Sequence, residues 1–108
     1  MRISVIITSY NQLSELKRAV QSVLNQTQSP FELIICDDGS KDGSRSYLKE
    51  LRKDIGLVKC LLHTENLGVS ANRNSGAKAS EGDVITFLDG DDYFYPRKIE
   101  QSIQKLQE

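Results

Sequence analysis

Four short apolar runs each break off into small polar residues, and a stretch with helical spacing follows each break. The runs are Arg2 to Thr8 (RISVIIT), Phe31 to Cys36 (FELIIC), Leu57 to Leu62 (LVKCLL) and Asp83 to Leu88 (DVITFL). Runs of this length, rich in Ile and Val and bounded by turn residues, read as strands buried on both faces. Between them apolar residues recur every three or four positions. Leu13, Leu16, Ala19, Val20, Val23 and Leu24 follow the first run, and Tyr47, Leu48, Leu51 and Ile55 follow the second. Buried strands alternating with amphipathic helices predict βαβ units and an α/β fold, a mostly parallel four-stranded sheet with helices on both faces.

Local signals mark where these elements begin and end. Asn11 is placed to cap the first helix, and Gly56 to close the second in a left-handed conformation. Val69 to Ala79 reads as a third helix built from Ala71, Ser75, Gly76, Ala77 and Ala79, whose small side chains let it lie close to a sheet. Pro96 suits the first turn of a last helix, with Ile99, Ile103 and Leu106 as its apolar face and no stop signal before the final residue.

With 108 residues and 38% hydrophobic content, residues 1–108 make one modest domain and leave no room for a second. Fourteen basic residues against fifteen acidic ones, with no basic stripe, exclude a nucleic-acid partner. No run of about eighteen apolar residues spans a membrane, and MRISVIITSYN is too short and too polar for a signal peptide. The expectation is a soluble, cytoplasmic protein, membrane-peripheral at most as part of a larger enzyme. Cys36 and Cys60 each sit inside an apolar run, where a thiol is expected to act as a small buried hydrophobe.

In an open parallel sheet, ligands bind beyond the carboxyl ends of the strands. Every unusual polar cluster of this chain falls there: Thr8 to Asn11, Asp37 to Ser40, Glu65 to Gly68, and Asp89, Asp91 and Asp92. Three carboxylates within the four residues DGDD repel one another unless a cation or donor hydrogens compensate them. A divalent ion such as Mg²⁺ or Mn²⁺ is the simplest compensation, and the apolar strand just before the cluster favours it over a solvated acidic turn capping the last helix. Asp37 and Asp38 could accept bonds from a ribose or base, or simply form the turn before the second helix. Asp38 is the stronger candidate of the two. Tyr10 could stack on a base and Thr8 bond its edge, or both could finish the strand and pack beneath the loop. Arg73 could contact a diphosphate or pair with Asp38 or another carboxylate, and His63 reads as an ordinary residue at a strand end.

Together SVIITSYN, DDGSKDGS, ENLGVSANRNSGAKASEGDVITFLDGDD and the helix after Pro96 resemble the donor half of family-2 glycosyltransferases, over essentially the whole chain. Single elements such as DDGS are weak signals, but four in this order are specific. The resemblance implies a Rossmann-like GT-A fold, cut short, whose acceptor half is absent. It implies that Thr8, Tyr10 and Asp38 contact the base of a UDP-sugar and that Arg73 supports this donor. Asp91 would sit near the ribose or the metal, Asp92 would ligate Mg²⁺ or Mn²⁺ directly, and Asp89 would act through the metal shell. Asn66 and Gly68 would shape the loop before the small-residue helix.

The implied reaction is inverting transfer to an acceptor hydroxyl, carbohydrate or lipid-linked, with the catalytic base beyond Glu108. The chain alone is therefore expected to bind donor and metal but to transfer sugar poorly. Its fourth strand is expected to present an open edge that favours self-association. Three rivals are a non-catalytic binding or assembly module, a sugar nucleotidyltransferase and a receiver-like domain. The third lacks a phosphoacceptor where Leu62 and His63 stand, and the second lacks a Gly-rich basic loop where TSYNQ stands.

Overall fold

The computed structural model describes residues 1–107. Its elements alternate as β1 (Ile3–Ser9), α1 (Leu13–Leu24), β2 (Glu32–Asp37), α2 (Ser44–Asp54), β3 (Val58–Leu62), α3 (Val69–Ala79), β4 (Val84–Asp89) and α4 (Lys98–Gln107). The strands form one parallel sheet in the order β3-β2-β1-β4. From β1 the chain steps outward to β2 and β3, then crosses back to lay β4 on the other side of β1. Right-handed crossovers require α3 to pass over the face opposite α1 and α2.

The packing follows that rule. Ile3, Val5 and Ile7 of β1 join Leu33 and Ile35 of β2 in the larger core, under Leu16, Ala19, Val20 and Val23 of α1, Leu48 of α2, and Ile99 and Ile103 of α4. Ile6, Ile34 and Cys36 point the other way and pack with Ala77 and Ala79 of α3. Successive strand residues alternate faces, so a strand covered on both sides has to be apolar throughout. Gly76 shows how near α3 lies: a β-carbon there would stand 2.7 Å from both Cys36 Sγ and Ile6 Cγ2. The small residues of α3 are thus a steric requirement.

Several boundaries differ from the sequence reading. β1, β2 and β4 each start and end one residue later than their apolar runs, and β3 starts one later. Polar residues at their carboxyl ends still join the ladder, Ser9 opposite Asp37 and Thr8 opposite Asp89, because pairing uses the backbone. Asn11 does not cap α1. It sits at φ 49°, and its Oδ1 accepts from the Lys41 amide at 2.7 Å. The first-turn amide of Leu13 is met instead by Asp42 Oδ2 at 2.9 Å, from the loop before α2. Gly56 does not close α2 in a left-handed conformation: the helix ends at Asp54 and Ile55 is extended at φ −125°. Pro96 lies two residues ahead of α4, in a turn whose carbonyl accepts from Thr27 at 2.9 Å. Leu106 is 48% exposed, so the buried face of α4 is Ile99 and Ile103 alone. Glu108, to which the sequence reading extends this helix, lies outside the described residues.

Cys36 is buried and Cys60 half-buried, and burial pushes both thiols up to about 11, which leaves them unreactive. No helix among the described residues is long and apolar enough to cross a membrane. Among the described residues β4 pairs only with β1, and its Ile85 and Phe87 are more than a third exposed.

At the amino ends of the strands a buried carboxylate joins four segments. Glu32, only 2% exposed, accepts from Ser4 Oγ at 2.6 Å, Lys59 Nζ at 2.8 Å and the Glu81 amide at 2.6 Å. The Gly82 amide completes the cluster on Ser4 Oγ at 2.9 Å. Burial pushes the Glu32 carboxyl up, but these donors together outweigh it and hold the group below its ordinary value of 4.5. A depressed value in the folded state means that this contribution is whole above the ordinary value and lost as the pH falls through the lower one. Glu32→Gln should therefore cost about 2 kcal/mol near neutral pH. Urea unfolding should show that gap closing as the pH is taken down below the ordinary value of 4.5, because the wild type then loses the same contribution.

Candidate functional site

The carboxyl ends of β1 and β4 lie side by side at the point where the strand order reverses, the usual place for a ligand in such a sheet. An open crevice there draws its walls from four stretches of chain. Thr8 and Ser9 end β1 and Tyr10 and Gln12 follow it, Asp38 follows β2, Val69 and Asn72 belong to the start of α3, and Asp89 ends β4 with Gly90 and Asp91 after it. Tyr10 is 47% exposed, which leaves its ring open to a planar partner.

The aspartate that ends β2 and the one that follows it divide their work. Asp37 is fully buried and accepts from the Ser40 amide at 2.9 Å and the Ser40 hydroxyl at 2.5 Å, with Arg45 Nη1 3.8 Å away. It folds the turn. Asp38 lines the crevice and accepts from the Leu67 amide at 2.7 Å on one oxygen and from the Gly68 amide at 3.1 Å on the other. Each oxygen keeps a second lone pair. Asn66 Oδ1 also accepts from Gly68, at 3.1 Å, and Gly68 takes φ 94°, so this loop is bent as a glycine permits and clamped by two side chains. His63 is an ordinary half-buried residue with Nε2 3.0 Å from Ser75 Oγ.

The acidic segment runs close against β1. The Gly90 amide donates to the Thr8 carbonyl at 2.8 Å, and a β-carbon on Gly90 would stand 2.8 Å from that oxygen and 2.7 Å from Gln12 Nε2. The glycine between the aspartates is therefore needed for close approach. Asp89 and Asp91 border the crevice, whereas Asp92 borders a second one across β4, shared with Asp89, Arg73, Phe87, Tyr93 and Lys98. The Asp92 amide donates to the Asp89 carbonyl at 2.9 Å, and Asp92 Oδ1 accepts from the next amide, Tyr93, at 3.1 Å. Among the described residues no cationic side chain pairs with Asp89, Asp91 or Asp92. Nor do three or more His, Cys, Asp or Glu side chains converge as a ready-made ion cage there.

Thr8, Tyr10, Asp38, Asp89 and Asp91 are thus brought together, and Arg73 and Asp92 stand apart from them. Arg73 has no carboxylate partner among the described residues and does not pair with Asp38. Its guanidinium lies 4.2 Å from the centre of the Phe87 ring, a cation–π contact. Sequence reasoning missed Asn72, Gln12 and the role of Ser9. Asn72 is 2% exposed and donates through Nδ2 to the Cys36 carbonyl at 3.0 Å, while its Oδ1 and the Ser9 hydroxyl are buried without a partner among the described residues. Its signal was a polar residue four positions before Gly76, on the helix face that meets the sheet.

The sequence profile of Glycosyl transferase family 2 matches residues 4–108. The chain belongs to glycosyl transferase family 2. Relatives of this family-2 domain include a glycosyltransferase of Nostoc sp., 39% identical over 99% of this chain and 33% of its own length. Another, from Campylobacter jejuni, is GalNAc(5)-diNAcBac-PP-undecaprenol beta-1,3-glucosyltransferase, 32% identical over 99% of this chain and 35% of its own. Among solved structures, S. aureus TarS in complex with UDP-GlcNAc superposes with a TM-score of 0.88 at 25% identity, over 99% of this chain and 31% of that one. A Pyrobaculum calidifontis mannosyltransferase in complex with GDP-Man and Mn²⁺ shares the fold at a TM-score of 0.86 and 20% identity, over 99% of this chain and 32% of that one. The four-stranded parallel sheet with its helices is that of the GT-A glycosyltransferases, and the chain spans about a third of the length of these relatives.

The two bonds that Asp38 accepts make it a structural member of the family-2 domain whatever it binds. Asp38→Ala should lower stability by about 2 kcal/mol, since two backbone donors lose a charged acceptor. Asp92→Ala should stay within about 0.5 kcal/mol of wild type in the same urea titration.

Proposed function

We propose that this family-2 domain binds a nucleoside diphosphate sugar, a UDP-sugar in the first place, in the crevice between β1 and β4. Residues 1–108 would be the donor-binding part of a glycosyltransferase that moves the sugar, with inversion, to an acceptor hydroxyl on a carbohydrate or lipid carrier. The observation that carries this reading is the composition of the crevice: an open aromatic ring, a clamped carboxylate and an acidic segment with no paired cationic side chain among the described residues, all at the reversal of strand order. S. aureus TarS, 25% identical over nearly the whole chain, has been crystallised with UDP and with UDP-GlcNAc, which supports a uridine nucleotide here.

The residues divide the donor between them. Tyr10 stacks on the base, and Thr8 and Asp38 meet its polar edge, Asp38 accepting from a base N–H through the lone pairs that Leu67 and Gly68 leave over. Because both oxygens are already fixed by those amides, little ordering is needed when the base arrives. Asp91 lies toward the ribose and the diphosphate, and Arg73, stacked on Phe87, offers a cation on the far side of β4.

Asp89 and Asp91, which border the same crevice, would hold a hard divalent ion, Mg²⁺ or Mn²⁺, with Asp92 reaching it from the neighbouring crevice across β4: all three offer only carboxylate oxygens, and no cationic side chain pairs with them among the described residues. They would supply only part of its coordination shell, and diphosphate oxygens could supply the rest. When bound, such an ion offsets the charge that develops on the departing diphosphate. The protein's part in that step is to hold donor and carboxylates in register across the Thr8–Gly90 contact.

Calorimetric titration with UDP and GDP, with and without Mn²⁺, tests the reading. Wild type should prefer UDP, and Mn²⁺ should tighten UDP binding about tenfold, or 1.4 kcal/mol. Asp91→Asn/Asp92→Asn should lose that gain and keep the weak metal-free binding. Equal affinity for UDP and GDP, or no response to Mn²⁺ in the wild type, would count against it.

A further inference from the structure

The acidic segment is also fastened from a direction that the donor reading does not use. Arg18, Ser22 and Gln26 follow one another at four-residue spacing along α1 and its carboxyl end, which places them on one face. Each bonds to the backbone of the stretch after β4. Gln26 Oε1 accepts from the Ile99 amide at 2.9 Å, and its Nε2 donates to the Tyr95 carbonyl at 2.7 Å. Ser22 Oγ accepts from the Phe94 amide at 3.0 Å. Arg18 Nη2 donates to the Asp91 carbonyl at 3.2 Å, and its guanidinium lies 4.7 Å from the centre of the Tyr93 ring.

These three ties differ in depth. Gln26 is 8% exposed, Ser22 is half-buried and Arg18 is exposed, so residues 94 to 99 are anchored firmly and residues 91 to 93 by the outermost, solvent-facing tie. Arg18 also holds the segment without neutralising it. It grips a carbonyl and an aromatic ring, and it forms no ion pair with Asp91 or Asp92 among the described residues. A guanidinium bound to either carboxylate would compete with an incoming cation for the same oxygens.

We propose that Arg18 is a positioning residue for the acidic segment: it clamps Asp91 to Tyr93 against α1 and so presents the Asp91 and Asp92 carboxylates to a divalent cation. The clamp itself stands on the contacts above, and its effect on cation binding rests on the reading under Proposed function. The expected strength is that of one partly exposed charged hydrogen bond plus one cation–π contact, enough to shift a local opening equilibrium about three- to tenfold.

Amide exchange measured by NMR reads the clamp without any ligand. Arg18→Met should speed exchange at Asp92 and Tyr93 about fivefold and leave Phe94 and Ile99, held by Ser22 and Gln26, within about twofold. Arg18→Lys should recover part of the protection. Lys17→Met, which removes the same charge from a side chain lying 5.5 Å over the Tyr47 ring of α2, should change none of these amides. In calorimetry Arg18→Met should shrink the Mn²⁺-dependent gain in UDP affinity and leave metal-free binding as it was. Unchanged exchange at Asp92 and Tyr93 in Arg18→Met, or the same acceleration in Lys17→Met, would overturn the proposal. A wild type that binds UDP without any response to Mn²⁺ would instead contradict the donor reading, and the exchange data would still decide the clamp.

Discussion

The parallel register of β1 against β4 runs one step beyond the strands, where the Gly90 amide reaches the Thr8 carbonyl at 2.8 Å. Through that contact residues from opposite ends of the chain share one crevice. Thr8 and Tyr10 come directly from β1, Asp89 and Asp91 directly from β4, and their separation is set by a hydrogen-bonded ladder and not by loop packing. A ladder is stiff because each bond is braced by its neighbours, which suits a site that must hold an aromatic ring and a charged segment in fixed relation. Gly90 is the residue on which the approach turns, since any side chain there would push the acidic segment off the end of β1.

The remaining wall is built on the other face of the sheet. α3 lies so close that Gly76 has no room for a β-carbon. That closeness brings Asn72 within reach of the Cys36 carbonyl and puts the loop before α3 over the end of β2, where Asp38 takes its two amides. The apolar packing of α3 and the polar clamp on its leading loop are parts of one arrangement. At the far end of the same strands Glu32 ties β1, β2, β3 and the turn before β4 together, so the sheet is braced at the end away from the crevice as well.

Sequence reading reached the fold because the signals for it are local. A strand covered on both faces needs an uninterrupted apolar run, and a helix pressed against a sheet needs small residues; both stand in the chain without reference to partners. Strand ends were read one residue short because Ser9, Asp37 and Asp89 are polar, and the ladder ignores side-chain polarity. The start of α1 was misread for a related reason: the acceptor that meets the Leu13 amide is Asp42, twenty-nine positions away, and no pattern within the helix announces it.

The site divides along the same line. Clusters at strand ends pointed to Thr8, Tyr10, Asp38 and the acidic segment, but both aspartates are buried, and only their partners in the fold separate Asp37, which builds a turn on Ser40, from Asp38, which lines the crevice under the Leu67 and Gly68 amides. Arg73 finds the Phe87 ring and not a carboxylate, because the residue opposite it across α3 and β4 depends on the crossover. Spacing places Asn72 on the sheet-facing side of α3, but its bond to the Cys36 carbonyl and the approach of Gly90 to Thr8 appear only in the fold.

Mapping amide chemical-shift changes on adding UDP and Mg²⁺ is the most direct test that this crevice is where a donor sits. Shifts concentrated at residues 8–10, 38–39, 67–69 and 89–92, with the Glu32 end of the sheet unmoved, are the predicted result. Changes centred elsewhere, or none at saturating nucleotide, would contradict it.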